Sequence, residues 1–174
     1  TAQALLATMA GMYAVYHGSH GIKEIAHHIH HLTGLLHKGL QAIGIEQLNF
    51  NYFDTLLITV PDANEAIKIG HKEEMNFRYV DDTTIGISLD ETNNLDDVNN
   101  ILTVLAKASH KKFIAVKENG GMVFFNEELL RNSPILEEKI FNSYHSETEM
   151  MRYIKKLERK DFSLTHSMIS LGSC

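Results

Sequence analysis

Between Ile22 and Gly44 the residues Ile25, Ala26, Ile29, Leu32, Leu36, Leu40 and Ile43 return every three or four positions, the period at which one face of an α-helix meets a core. Gly44 supplies a stop for that helix. No other stretch commits the chain so firmly. Upstream, AQALLATMAGMYAVY predicts a second helix over residues 2–16, divided from the first by HGSHG at 17–21, where two glycines and a serine break the pattern. This second helix is apolar on most sides and therefore asks for cover on most sides. Part of that cover is expected to lie outside the chain. Gln3, Thr8 and Gly11 interrupt it, and it is too short for a membrane span of about 20 residues. The chain starts on Thr1 without a basic leader or cleavage pattern, and so reads as the middle of a protein.

The segment YFDTLLITV at 52–60 is rich in β-branched and aromatic residues and ends at Pro61, which predicts a strand. Asp62 then caps a helix running to about Glu74 through Ala63, Ala66, Ile67 and Gly70. NFRYV at 76–80 and TIGISL at 84–89 predict two short strands joined in hairpin fashion across Asp81, Asp82 and Thr83. Thr92–Asn94 offer an N-cap for a helix through Leu95, Val98, Ile101, Leu102 and Leu105, with Asp96 and Asp97 where the helix dipole favours negative charge. These elements predict an α+β fold, a small antiparallel sheet covered on one face by helices. After Ala108 the pattern loses its period, as in a strapping segment that lies against something. A last helix is predicted over roughly 147–159, with Met150, Met151, Ile154 and Leu157 on one side and Lys155, Lys156, Glu158, Arg159 and Lys160 on the other.

Composition sets limits on function. The 174 residues are 44% hydrophobic and 22% charged, ordinary values for a packed globular chain. The net charge of -6 and the absence of a dense run of Lys and Arg argue against nucleic acid as a partner. A single cysteine rules out an internal disulfide, which suits a reducing compartment.

Seven of the eleven histidines fall in HGSHGIKEIAHHIHHLTGLLH. His27 and His31 lie four apart on one helix face, a spacing that can clamp a transition metal. The set as a whole is scattered around the helix, so the reading is solvated surface histidines with weak adventitious metal binding at His27 and His31. Asp81–Asp82 and Asp90–Glu91 read as a hairpin turn and a helix-entry loop rather than a cation site. Gly120–Gly121 reads as a turn. In YHSETEM at 144–150, Ser146 or Thr148 can cap the following helix, which leaves His145 at its mouth free to face a ligand. Ser167, Ser173 and Cys174 surround a glycine in an irregular stretch, the kind of backbone that often lines a site. No base or orienting acid accompanies the thiol to make it a nucleophile.

TAQALLATMAGMYAVYHG, FDTLLI at 53–58, DDTTIGISLDET at 81–92 and NSYHSETEMMRYIKKLERKDFSLTHSMISLGSC at the end together resemble the glycine decarboxylase, or P-protein, family of the glycine cleavage system. The resemblance runs in order along the whole chain, and marks it as an internal fragment. It implies a pyridoxal-phosphate enzyme of two homologous aminotransferase-like (fold type I) halves, a homodimer or heterotetramer that decarboxylates glycine and passes the aminomethyl group to the lipoyl arm of H-protein. It implies that residues 1–125 are the small C-terminal domain of the first half, 126–145 a linker, and 146–174 the opening of the second half. It further implies a cytoplasmic location in a bacterium or the mitochondrial matrix in a eukaryote. The family's cofactor lysine lies downstream of the LGSC loop, and no lysine here matches it, so the chain alone is expected to be inactive and to bind no cofactor. His145, Ser167, Gly172, Ser173 and Cys174 become candidates for an active-site loop of the parent. Ser170 stands where the family pattern HSMIPLGSC has proline, which loosens that loop.

Two other classes compete with this reading. A ligand-binding module of α+β fold would end near residue 110 and has no use for YHSETEMMRY. An interaction fragment would self-associate through its first helix, which light scattering would detect.

Overall fold

The computed structural model describes residues 2–118 and 127–168. Seven principal elements occur among them: α1 (Ala2–Ile43), β1 (Thr55–Thr59), α2 (Ala63–Lys72), β2 (Arg78–Tyr79), β3 (Thr84–Ser88), α3 (Leu95–Ala108) and α4 (Glu147–Glu158). The chain divides into two compact units, residues 24–131 on the one hand and residues 1–23 with 132–174 on the other.

In the unit of residues 24–131 the sheet is antiparallel with strand order β1-β3-β2. Leu56 pairs with Ile87 and Ile58 with Ile85, so period-2 alternation puts these four on one face. All four are buried, and they meet Leu32, Leu36, Leu40 and Ile43 of α1, Ala63 and Ala66 of α2, and Val98, Leu102 and Leu105 of α3. Each buried Leu, Ile or Val of this kind stabilises the fold by about 1.5–3 kcal/mol. The predicted α+β architecture, with helices over one sheet face, is the one observed. Gly39 lets α1 approach α3 closely, since a Cβ there would fall 2.3 Å from Leu102 Cδ1.

The predicted caps are in place. Asp62 accepts from the Asn64 N–H at 2.8 Å, and Asn94 with Asp97 forms a reciprocal capping box. Gly44 adopts φ +73° after α1, the left-handed conformation that ends helices. Its carbonyl accepts from Lys111 Nζ. The expected strap is present at Val116, whose N–H donates to Asn99 Oδ1 at 2.9 Å.

Two strands are shorter than their sequences suggest. β1 starts at Thr55 rather than Tyr52. Its outer edge is filled by residues 46–49: the Leu48 N–H donates to Leu57 O at 2.8 Å and the Thr59 N–H to Glu46 O at 2.9 Å. The Asn49 side chain donates to Thr55 O at 2.9 Å and accepts from the Leu57 N–H at 2.8 Å. Only Arg78 and Tyr79 of the predicted 76–80 strand pair with β3. Met75 is held back on the end of α2, its N–H donating to Gly70 O at 2.8 Å, and Phe77 packs beside Gly70.

The second unit contains α1 up to Lys23 and α4. The helical run of α1 is interrupted at Gly18, with φ +63° and ψ −173°, so the break predicted at HGSHG is present. The first helix forms, but residues 2–11 are exposed, with Leu5 and Leu6 at 64% and Met9 at 57%. The deep burial that their apolarity suggested is therefore not provided by the described residues. Ser146 caps α4, accepting from the Glu149 N–H at 3.3 Å. Met150, Tyr153 and Leu157 form its half-buried side, and Tyr153 stacks on Tyr144 with ring centroids 4.4 Å apart. No described helix is long and apolar enough to cross a membrane.

Candidate functional site

The break at Gly18 produces the most chemically furnished cleft in the unit of residues 1–23 and 132–174. A helix that stops at a positive-φ glycine leaves carbonyls of its last turn without intrahelical partners. One of these, on Tyr16, accepts a hydrogen bond from His145 Nδ1–H at 2.8 Å. Glycine at 18 is required twice over. The φ is one that L side chains seldom adopt, and a Cβ would lie 2.6 Å from Phe141 O and 2.9 Å from His145 Cε1. The cleft measures about 370 Å³ and is lined by Tyr16, His17, Gly18, Ser19, His20, Gly21, Asn142 and His145.

The imidazoles in this cleft are not equivalent. A carbonyl only accepts, so the bond to Tyr16 fixes the proton of neutral His145 on Nδ1 and leaves Nε2 as the nitrogen that can take or give a proton. His17 packs against Tyr13 at 4.3 Å and Tyr16 at 5.2 Å between ring centroids, which restrains its ring. Asn142 donates to the Leu136 and Glu138 carbonyls, both at 3.0 Å. Its side-chain nitrogen is thereby committed to the loop. The arrangement can orient a small polar group and exchange a proton with it through His145 Nε2.

Of the other candidates read from the sequence, Ser167 is half-buried in a turn where its N–H donates to Ser163 O at 2.9 Å. The same turn sets Ser163 Oγ 3.0 Å from His166 Nδ1 and 2.6 Å from Thr165 Oγ1. Lys155, and after it Ser163 and His166, hold the Glu158 carboxyl below its ordinary range. His145 and Ser167 are both described, whereas Gly172, Ser173 and Cys174 lie outside the described residues, as do Ser170 and the Gly120–Gly121 turn.

The histidine-rich stretch needs one correction. His30 is not a solvated surface residue: it is 3% exposed, donates from Nδ1 to Phe53 O at 2.8 Å and lies parallel to the Phe53 ring at 5.7 Å. Burial pushes its pKa down, with nearby His27 acting in the same direction and the bond to the Phe53 carbonyl opposing. His37 is half-buried against Gln47. His28 donates from Nε2 to Asn93 O at 2.9 Å. His27 is exposed and His31 half-buried. Among the described residues no group of three or more His, Cys, Asp or Glu side chains is placed to hold a metal ion. Asp81 and Asp90 serve their turns as expected, accepting from Thr83 and Thr92. These bonds hold both carboxyls below the usual range.

Sequence reasoning found His145 but not its partners. The signal available for them was the repeated His-Gly spacing of HGSHG, read as a helix break and as part of a scattered histidine set.

Comparison with known proteins gives this geometry a context. Residues 1–105 match the family model described as glycine cleavage system P-protein. The chain is 49% identical to a protein of Bacteroides fragilis named glycine dehydrogenase (decarboxylating), over 100% of this chain and 19% of that protein. It is 49% identical to the protein of the same name from Christiangramia forsetii, over 100% of this chain and 18% of that one. It is 44% identical to glycine dehydrogenase (decarboxylating), mitochondrial, from Solanum tuberosum, over 100% of this chain and 17% of that one. The chain thus spans about a fifth of the length of the curated relatives it matches.

Proposed function

Since the chain belongs to the glycine cleavage system P-protein family, we propose that its parent protein decarboxylates glycine and passes the remaining aminomethyl group to the lipoyl arm of H-protein. The observation that carries this reading is the near-half identity to proteins named glycine dehydrogenase (decarboxylating) along the entire chain. In this reading residues 1–125 are the small C-terminal domain of the first of two fold type I halves. Residues 126–145 are the linker, and residues 146–174 open the second half. The parent is a homodimer or a heterotetramer. It works in the bacterial cytoplasm or, as the name of the potato relative says of that protein, in mitochondria.

Pyridoxal phosphate, when bound in the parent, supplies an electron sink for the decarboxylation. The residues of this chain do not fit that group. A cofactor-holding lysine needs a desolvated setting to be reactive at neutral pH. Every lysine here is exposed except Lys155, and Lys155 is paired with Glu158 at 2.5 Å. No step of the cofactor's chemistry is therefore assigned to these residues, and the chain alone is proposed to be inactive.

The chain's own contribution is to orient. The bond from His145 to Tyr16 pins the residue before the α4 cap to the end of a helix, and Ser163 Oγ lies 3.0 Å from His166 Nδ1 in the turn after α4. In this reading Ser167, Gly172, Ser173 and Cys174 border the parent's substrate and lipoyl arm.

The test is exchange of the glycine carboxyl with bicarbonate, using the full-length protein, pyridoxal phosphate and H-protein. Exchange is expected in that mixture and not with the 174-residue chain. Absence of exchange by the full-length protein would overturn the reading. An absorbance band of bound cofactor on the isolated chain would overturn its proposed inactivity.

A further inference from the structure

The outward side of α4 carries a charge pattern that nothing in the glycine-cleavage reading uses. Arg152, Lys155, Lys156 and Arg159 stand at i, i+3, i+4 and i+7, positions that share about one third of a helix circumference. They line a shallow depression of about 390 Å³. With Lys160, residues 152–160 hold five basic residues against one acidic, Glu158, in a chain whose net charge is -6. Among the described residues Glu158 is the ion-pair partner of Lys155. Among the described residues Arg152, Lys156 and Arg159 have no carboxylate within ion-pair distance. Like charges one turn apart repel and weaken a helix, so the stripe stands against the local energetics of α4 until something neutralises it.

We propose that this face of α4 is a docking surface for an acidic protein segment, a helix that presents carboxylates one turn apart. The stripe is about 10 Å long at 1.5 Å per residue. That length matches two turns of an acidic helix and exceeds a single phosphate. Met151 at 63% exposure and Ile154 at 44% flank the cations, and exposed Met beside Arg is the composition of a protein interface. A membrane surface fits less well. The apolar side of α4 formed by Met150, Tyr153 and Leu157 is half-buried, with Tyr153 stacked on Tyr144, and so is not presented to lipid in the manner of an interfacial helix. Nucleic acid fits less well because four contacts along one short helix do not track a phosphate backbone. The inference goes beyond the glycine-cleavage reading and does not depend on it.

The experiment is fluorescence anisotropy of the chain with a labelled helical peptide carrying glutamates at i, i+3, i+4 and i+7. Binding is expected, weakened about tenfold or more when salt shortens the screening length from about 10 Å to about 3 Å. The double variant Lys156→Glu, Arg159→Glu should lose about tenfold or more, while Lys156→Arg should stay within about threefold. Circular dichroism of both variants should match the parent chain, because the substituted side chains are exposed. The proposal is overturned if the peptide does not bind, or if charge reversal leaves binding unchanged. Tighter binding to a DNA duplex or to phosphatidylserine vesicles than to the peptide also overturns it. So does a Lys156 amine that resists acylation in the full-length protein while reacting in the isolated chain, since the stripe would then be covered from within.

Discussion

Substituting Gly39 by alanine tests the packing of α1 on α3. Helix propensity alone says that the change stabilises, by about 1 kcal/mol for Gly→Ala in a helix interior. The structure says the opposite. The new Cβ would sit 2.3 Å from Leu102 Cδ1, 2.8 Å from Cδ2 and 3.1 Å from Cγ. A flexible side chain in open space would turn away at little cost. Leu102 is 0% exposed in a core it shares with Leu35, Leu36, Leu40 and Leu105, so it has no empty volume to enter. Overpacking of this kind costs about 1–3 kcal/mol, and an off-rotamer leucine adds about 0.5–1.5 kcal/mol. Set against the propensity gain, the net loss comes to about 2 kcal/mol, equivalent to a fall in Tm of about 4–8 °C for a chain of this size. Urea denaturation followed by far-ultraviolet circular dichroism reads the loss. Leu102→Ala alone should cost about 2–5 kcal/mol by leaving a cavity. The double variant should cost less than the two singles added, because the alanine methyl enters the vacated space. A neutral or stabilising Gly39→Ala, or strict additivity in the double variant, would refute the close approach of the two helices.

Three further outcomes can be checked. His30 is held below its ordinary pKa by burial, so on acidification the unfolded chain takes up a proton before the folded one does. Stability is therefore complete above about pH 6.5 and falls as pH drops from there toward the folded pKa, by at most about 1.4 kcal/mol per pH unit. His30→Gln should flatten that slope in urea midpoints measured at stepped pH. Removing the α3 cap by Asn94→Ala should lower stability by about 1 kcal/mol, read from the same midpoints. Gly18→Ala places a side chain at φ +63° against Phe141 O, at a cost of about 1–2 kcal/mol for the left-handed conformation alone. Limited proteolysis should then cut residues 132–145 faster, whereas unchanged cleavage would count against the contact between Gly18 and His145.

What could be read from the sequence is what short-range chemistry decides. The Ile25–Ile43 repeat, the Asp62, Asn94 and Ser146 caps and the Gly44 stop each depend on residues within a turn or two, and each is present. His30 failed because its burial is imposed from outside its helix: Phe53, 23 residues on, supplies both the ring and the carbonyl that enclose it. The 76–80 strand shortened because Met75 preferred the end of α2, a tertiary competition that β-propensity does not register. At the candidate site, His145 was legible as the residue before a helix cap. Its bond to Tyr16, 129 residues earlier, was not, because Gly18 announces a break and not the direction in which the freed carbonyl turns.

The segment 46–49 that lies along β1 has a bearing on how copies of this chain behave in a crowded solution. An uncovered strand edge is a template on which identical chains can stack into fibres. Here the outer edge of β1 already spends its hydrogen-bonding groups on Glu46, Leu48 and Asn49, and among the described residues the opposite edge offers only the two residues of β2. Polymerisation by strand addition is thereby blocked along one border and given too little length to grip along the other.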